Sequence, residues 1–427
     1  MRRRFLIQMA ASDAATLAIA CSLAAGIVFA QPRFWVAGPT VGALNPLLFA
    51  LLVGAFVGRI AASYWVGVAP RPSYGRGLLV VLFGMLGAMT GIVFAREIYW
   101  SRSFLLYVGA FWLALATLYR MYKARRPWAE RLLVVSTDAQ LIADLRASPN
   151  VGEIIVLSPR NSGQLSAPEP DQVVVVDFKE AMGDRMAQFV SSAVLAGRRV
   201  RALSSVYEEH TGRIPVVHLA EGWELAAPFE RVRPWLAGKR AFDVVTVVVT
   251  VVVWLPLLLI GALIVKVASK GPVFFLQERV GLNGVPFTIV KLRSMVVGAE
   301  ANGPKFASNS DERVYRGGQF LRKYRLDEIP QLWNVLRGEL SLVGPRPEQV
   351  PFVDAFSKDI PFYDQRHVVR PGATGWAQVN SGYAHGELET FEKLTYDLFY
   401  IKHMSPLMDL QVILRSFRIV LRGVGAR

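Results

Sequence analysis

The sequence predicts a membrane protein in three parts: an α-helical bundle, a small α/β layer, and a basic C-terminal domain that holds one more long apolar segment. Three observations carry that prediction. Hydrophobic residues make up 53% of the 427 positions and charged residues only 19%, a balance that leans towards membrane proteins. Several apolar runs reach the roughly 20 residues needed to span a bilayer. Beyond the first runs the pattern changes to strands alternating with helices, and then to a stretch dense in Arg, Lys, Gly and Pro. The net charge of +15 calls for an anionic partner, which composition leaves open among nucleic acid, an anionic membrane and a phosphorylated substrate. Cys21 is the only cysteine, so no intrachain disulfide or Cys-based zinc site exists, and no histidines stand in HxxxH spacing.

The bundle comes first, over residues 1–125. Apolar runs at 6–30, 45–69, 77–95 and 104–120 read as four transmembrane helices. The start Met1-Arg2-Arg3-Arg4 has the character of a signal-peptide head, but the apolar run behind it is too long and holds Asp13, so it reads as a span. Arg2, Arg3 and Arg4 precede the first span, Arg71 and Arg76 lie between the second and third, and Arg120, Lys123, Arg125 and Arg126 follow the fourth. The other two loops are poorer in positive charge, so both ends of the bundle face the cytoplasm. Asp13 and Arg59 fall inside spans. Such charges are often functional, but near helix ends they also snorkel, and the structural reading is favoured here.

Residues 126–235 read as a cytoplasmic Rossmann-like α/β domain and linker. RLLVVS (131–136), EIIVLS (153–158) and QVVVVDF (172–178) are strands, with helices over TDAQLIADLRAS and roughly 180–197. The first strand runs into Ser136-Thr137-Asp138-Ala139, without the glycines that let backbone approach a pyrophosphate. A scaffold or oligomerisation role is therefore favoured over nucleotide sensing.

The third part is residues 236–427. It opens on AFDVVTVVVTVVVWLPLLLIGALIV (241–265), again long enough to span. Both flanks are basic, with Lys239-Arg240 before and Lys266 and Lys270 after, and a crossing would place all that follows outside the cell. Pro256 near its middle removes a helix hydrogen bond. A re-entrant helix that breaks at Pro256 and returns accounts for all three, provided that Thr246, Thr250 or neighbouring helices supply partners for the freed carbonyls.

Beyond residue 270 the chain carries Arg279, Lys291, Arg293, Arg322, Arg346 and Arg370 beside Gly, Pro or strand-like segments that can hold them rigidly. Guanidinium forks suit phosphate oxygens. Asp327-Glu328 lies in that field. Mg2+ takes carboxylates plus substrate phosphates, and adjacent residues cannot share a helix face. One carboxylate would therefore attack phosphorus while the other holds metal. The same pair would also favour the dipole of a helix over IPQLWNVL, and the two readings are compatible.

Six ordered motifs, KRAFD (239–243), GPVFFLQERVGLNG (271–284), FTIVKLRSM (287–295), LRKYRLDEIPQLWNVLRGELSLVGPRPE (321–348), RPGATGWAQVN (370–380) and KLTYDLFYIKHMSPLMDL (393–410), resemble the bacterial sugar transferases, the polyprenyl-phosphate hexose-1-phosphate transferases. With the bundle, the α/β domain and the linker-like YEEHTGRIPV (207–216), the chain is similar to the long form that starts exopolysaccharide or O-antigen synthesis. The resemblance implies a monotopic phosphoglycosyl transferase domain with a re-entrant helix, in a multi-pass protein of the bacterial inner membrane that works on the cytoplasmic face. It implies Asp327 as nucleophile on the β-phosphate of a UDP-sugar, release of UMP, transfer of sugar phosphate to polyprenyl (undecaprenyl) phosphate, and Glu328 positioning Mg2+. Arg322, Lys291 and Arg293 match basic phosphate contacts, and Pro345-Arg346-Pro347 a motif near the nucleotide. The chain departs from the family pattern at Leu292, Tyr315, Tyr324 and Glu339. None of these removes a charged catalytic group, so they bear on sugar preference rather than reaction type.

SPLMDLQVILRSFRIVLRGVGAR (405–427) reads as an amphipathic helix on an anionic leaflet, in preference to a core-packing helix. The expected partners are UDP-sugar, polyprenyl phosphate, anionic lipid and the membrane, and further a homodimer and polysaccharide-assembly proteins. Nucleic acid is disfavoured because the charge accompanies membrane segments. The competing readings are an inverting lipid-carrier glycosyltransferase that releases UDP and a non-catalytic scaffold for polysaccharide export.

Overall fold

The computed structural model describes residues 2–30, 50–55, 74–94, 102–125, 129–160, 163, 165–216, 223–299, 311–380 and 387–422. It forms two compact units, Met1–Thr211 and Gly212–Arg427. Residues 212–235, which the sequence assigns to the α/β domain and its linker, thus go with the second unit.

The first unit begins with helices α1 (Arg2–Phe29), α2 (Tyr74–Phe94) and α3 (Arg102–Ala124). Gln8–Phe29 and Arg102–Lys123 are long and apolar enough to cross a membrane, and α2 carries a shorter apolar stretch, Val80–Met89. The expected span at 45–69 lies outside the described residues apart from the helical residues 50–55, as does Arg59. Ala20, Cys21, Ala24 and Ala25 of α1 share one core with Phe104, Val108 and Trp112 of α3. Small side chains on one helix let the other approach closely. Ile19, Leu23, Leu82, Leu86, Leu106 and Leu118 are exposed, which gives the bundle an apolar outer surface. The Phe29 and Phe104 rings lie 5.6 Å apart at one end of the α1–α3 pair, and Asp13 meets Arg120 at 2.6 Å at the other. The two helices are therefore antiparallel, and Arg2 and Arg125 leave the bundle at the same end. Arg120 is not part of an exposed basic flank, as the sequence reading has it. It is 2% exposed, drawn inside by the buried carboxylate of Asp13.

The α/β layer follows as β1 (Glu130–Val135), α4 (Ala139–Arg146), β2 (Val151–Leu157), β3 (Gln172–Val176), α5 (Asp184–Leu195), β4 (Arg199–Ala202) and α6 (Leu203–Thr211). The sheet is parallel in the order β2-β1-β3-β4. Strands β1 and β3 alternate between two cores, one lined by Leu132, Val134, Val173 and Val175 and the other by Leu133, Val135, Val174 and Val176. The linker-like stretch at 207–216 starts inside α6, which buries Val206 and Tyr207 against the first core. In the turn after β1, the Glu180 carboxylate accepts from Thr137 N at 2.6 Å, Thr137 Oγ1 at 2.8 Å and Ser136 Oγ at 2.9 Å. An internal carboxylate thus takes the donors that face phosphate in a dinucleotide site.

The second unit opens on α7 (Trp223–Val249) and α8 (Val251–Ala268), the third helix apolar enough to cross a membrane. The interruption falls at Thr250, and Pro256 lies inside α8. Side chains at Thr250 supply the donors that a broken ladder needs. The Thr250 hydroxyl donates to Thr246 O at 2.6 Å, and Trp254 Nε1 donates to Val247 O at 2.9 Å. A ribbon follows, β5 (Phe274–Val280) with β6 (Pro286–Leu292), then α9 (Arg316–Lys323), α10 (Gln331–Arg337), β7 (Ser341–Val343), α11 (Val350–Asp359), β8 (Gly372–Thr374), α12 (Trp376–Asn380), α13 (Glu387–His403) and α14 (Pro406–Arg422). The KRAFD residues tie this unit together. Lys239 pairs with Asp409 of α14 at 2.6 Å, Arg240 donates to Leu336 O at 2.6 Å, and Asp243 accepts from Ser341 Oγ at 2.7 Å. Helix α14 buries Met408, Asp409 and Val412 in the domain and exposes Leu414 and Phe417.

Candidate active site

The β5–β6 register sets Phe275 opposite Lys291 and Arg279 opposite Phe287. Directly opposed residues in an antiparallel pair share a face, so Lys291 and Arg279 stand on the same side of the ribbon. Helix α10 is fastened to the edge of β6 by one side chain. Asn334 Nδ2 donates to Thr288 O at 2.8 Å, and its Oδ1 accepts from Val290 N at 3.0 Å. That fastening brings the turn before α10, a 3-10 turn over Leu326–Glu328, to the ribbon. Arg325 enters the turn in the left-handed conformation, with φ +53. A non-glycine residue held there costs about 1–3 kcal/mol, a strain that concentrates at functional sites.

Asp327 and Glu328 sit in that turn and make no cap on α10. The two half-buried carboxylates have different surroundings. Glu328 is clamped, with Oε2 3.0 Å from Arg325 Nη1 and Oε1 3.4 Å from Arg346 Nη1. Among the described residues Asp327 has no ion-pair partner at contact distance. Burial pushes the Asp327 carboxyl up to about 6, and the neighbouring charge of Glu328 adds to that against the pull of Lys291, Arg322 and Arg325. Burial would raise Glu328 as well, but Arg325, Arg346 and Lys291 outweigh it and hold that carboxyl down at about 2. Burial, with Arg346 and Arg279 close by, lowers the Lys291 ammonium to about 8. Arg322 donates from Nε to Ser294 Oγ at 3.2 Å, while its buried Nη1 has no partner. The result is a carboxylate open for reaction beside a fixed carboxylate, within a cationic shell that has an unused donor.

Of the sequence-predicted residues, Asp327, Glu328, Lys291, Arg322 and Arg346 come together. Arg279 lies at the border. It donates to Gln277 Oε1 at 2.6 Å and to Pro347 O at 3.1 Å, and stands 3.6 Å from Glu348. Arg293 faces another way, donating to Ser269 O at 3.0 Å and Ser269 Oγ at 3.1 Å beyond the end of α8. Arg370 Nε donates to Gly338 O at 3.0 Å, at the C-terminus of α10. Among the described residues no group of three or more His, Cys, Asp or Glu could hold a metal ion. The carboxylate pair alone suits Mg2+, which completes its shell with water and phosphate oxygens.

A family model of bacterial sugar transferases matches residues 235–423. A UDP-N-acetylgalactosamine-undecaprenyl-phosphate N-acetylgalactosaminephosphotransferase of Aeromonas hydrophila is 41% identical over 258 residues, 60% of this chain and 60% of that protein. A UDP-glucose:undecaprenyl-phosphate glucose-1-phosphate transferase of Caulobacter vibrioides is 43% identical over 182 residues, 42% of this chain and 67% of the relative. EpsL, an uncharacterized sugar transferase of Bacillus subtilis, is 35% identical over 187 residues, 44% of this chain and 89% of its own length.

The chain belongs to the bacterial sugar transferase family. It spans about 60% of the length of the Aeromonas transferase. At three of the four positions where this family member departs from the common sequence pattern, a buried contact or hydrogen bond accounts for the residue, and Tyr324 is exposed. Leu292 is buried with Val265 and Leu321, the Tyr315 hydroxyl donates to Arg293 O at 2.6 Å, and Glu339 accepts from Asn334 at 2.7 Å. Sequence reading missed the roles of Arg325, Asn334 and Arg366 in the transferase domain. Arg325 alone carries a signal, its place two residues before the acid pair.

Proposed function

We propose that the protein transfers a sugar 1-phosphate from a UDP-sugar to polyprenyl phosphate through a covalent aspartyl intermediate. The observation that carries this reading is the asymmetry of the acid pair: Glu328 is held by two guanidinium groups while Asp327 is free to react. The Aeromonas and Caulobacter relatives are transferases named for undecaprenyl phosphate and a UDP-sugar, which supports the same reaction class.

An Asp327 oxygen attacks the β-phosphorus of the UDP-sugar. The bond from that phosphorus to the bridging oxygen breaks, and UMP leaves with the electron pair. An oxygen of polyprenyl phosphate then attacks the same phosphorus. The carboxylate is released, and the product is the polyprenyl-diphosphate sugar. Asp327 attacks as the anion, the form that Lys291, Arg322 and Arg325 favour against burial and the charge of Glu328. Lys291, Arg322 and Arg346 hold the transferring phosphoryl oxygens against a carboxylate that would otherwise repel them. Asp327 and Glu328 would hold Mg2+ together with the diphosphate, and the ion would neutralise charge there.

The catalytic unit is read as lying on the cytoplasmic face, with α7–α8 entering the membrane and turning back at Thr250. The exposed basic flank Lys266/Lys270 supports that placement.

The full-length protein, given UDP-sugars and undecaprenyl phosphate, is expected to release UMP and to carry labelled sugar phosphate on Asp327. Asp327→Ala is expected to lose both. Release of UDP, or full UMP release by Asp327→Ala, would overturn the mechanism.

A further inference from the structure

The segment Pro345-Arg346-Pro347-Glu348 is neither helix nor strand, yet it carries the guanidinium that clamps Glu328. Its two prolines bring no N–H. Much of what fixes its backbone must therefore come through its carbonyls, and all four are taken. Pro345 O accepts from Gly372 N at 2.8 Å, Arg346 O from Arg366 Nη2 at 2.9 Å, Pro347 O from Arg279 Nη1 at 3.1 Å and Glu348 O from Val280 N at 2.9 Å. Two of these donors are backbone groups at strand ends, Gly372 of β8 and Val280 of β5. The donor on the carbonyl of Arg346 itself is a side chain.

Arg366 is 5% exposed and cannot wander. Its Nη2 also meets Asp397 Oδ2 at 2.7 Å, and its Nη1 donates to the Tyr363 hydroxyl at 2.7 Å. A buried ion pair is a poor source of stability, since well-packed apolar residues often serve as well. A planar guanidinium fixed by a carboxylate is, however, an accurate way to place a donor.

We propose that Arg366, oriented by Asp397, is a positioning residue that sets the main chain of Arg346 and so aims its guanidinium at Glu328 and the transferring phosphate. The proposal rests on the transferase reading above. Lysine at 366 keeps the charge beside Asp397 but lacks the fork, so the Arg346 carbonyl loses its donor.

The test is a double-mutant cycle on the full-length protein, which measures UMP release with undecaprenyl phosphate and the best of UDP-glucose, UDP-galactose and UDP-N-acetylgalactosamine. Arg366→Lys is expected to lower kcat/KM about 10–100-fold, the usual cost of losing an outer partner of a site. In an Arg346→Lys background the same change should cost less than about twofold, because the group it positions is already gone. The melting temperature should fall equally in both backgrounds, which separates this role from a general loss of fold. Asp397→Asn is expected to give the same pattern and stands in if Arg366→Lys does not fold. Equal losses of activity in both backgrounds, or none in either, would overturn the proposal. A wild-type protein without UMP release would sink the transferase reading, and the proposal would fall with it.

Discussion

Removing Arg120 is expected to destabilise the helical bundle far more than removing Arg120 and Asp13 together. Both side chains are nearly sealed, at 2% and 7% exposure, and meet at 2.6 Å. Arg120 also donates to Ala116 O at 3.1 Å. Arg120→Met removes the guanidinium that meets the buried Asp13 carboxylate, while the Trp112 and Thr16 hydrogen bonds to the Asp13 backbone stay in place. Breaking a buried pair in this way costs about 3–5 kcal/mol. For a unit of this size each kcal/mol moves the melting temperature about 2–4 °C, so the fall is roughly 6–20 °C. Replacing both residues, as Asp13→Leu with Arg120→Met, removes the buried carboxylate along with its guanidinium and should restore most of that loss. The measurement is thermal melting of the detergent-solubilised full-length protein, read on the wild type, both single variants and the double. A double variant at least as unstable as Arg120→Met would refute the view that the pair matters through mutual neutralisation.

Two further predictions concern the second unit. Burial and the nearby arginines hold Lys291 at about 8, so on the proposed mechanism UMP release should fall as pH rises through that value and the ammonium beside the acid pair loses its proton. Lys291→Arg keeps its charge at any such pH and should remove that alkaline limb; an unchanged limb would assign it to another group. A cysteine placed near residue 297 should resist an impermeant thiol reagent in intact cells if the catalytic unit is cytoplasmic, and ready labelling would show that α7–α8 crosses the membrane.

What the sequence made legible is what short-range pattern determines. Valine runs marked β1 and β3 because strands buried on both faces have little room for polar residues. The acid pair among arginines marked the site because like and unlike charges that crowded have few structural uses. Long-range pairing was not legible. Asp13 and Arg120 lie 107 positions apart, and nothing local tells that the two charges cancel. Proline is the visible breaker, so the sequence points to Pro256 for the helix break. It falls at Thr250, where a threonine hydroxyl and an indole N–H seven residues from its acceptor satisfy the carbonyls. Strand β4 is four residues with two arginines, too short and too charged for alternation to reveal.

The arginines show most clearly why sequence could find this site but not delimit it. Lys291, Arg322, Arg325 and Arg346 surround the carboxylates. Arg240, Arg279, Arg293, Arg366 and Arg370 instead donate to main-chain carbonyls, those of Leu336, Pro347, Ser269, Arg346 and Gly338. In composition and setting the two groups look alike, since both stand beside Gly, Pro or short elements. The shared setting has a physical cause. Short helices and proline-rich turns leave carbonyls without a ladder partner, and arginine offers five donors on a long stem. An irregular backbone needs many such donors, and so the basic density around the acid pair also builds the turns that hold it. The two uses meet at residue 346, where one arginine faces the carboxylates with its side chain and is held from behind by another through its carbonyl.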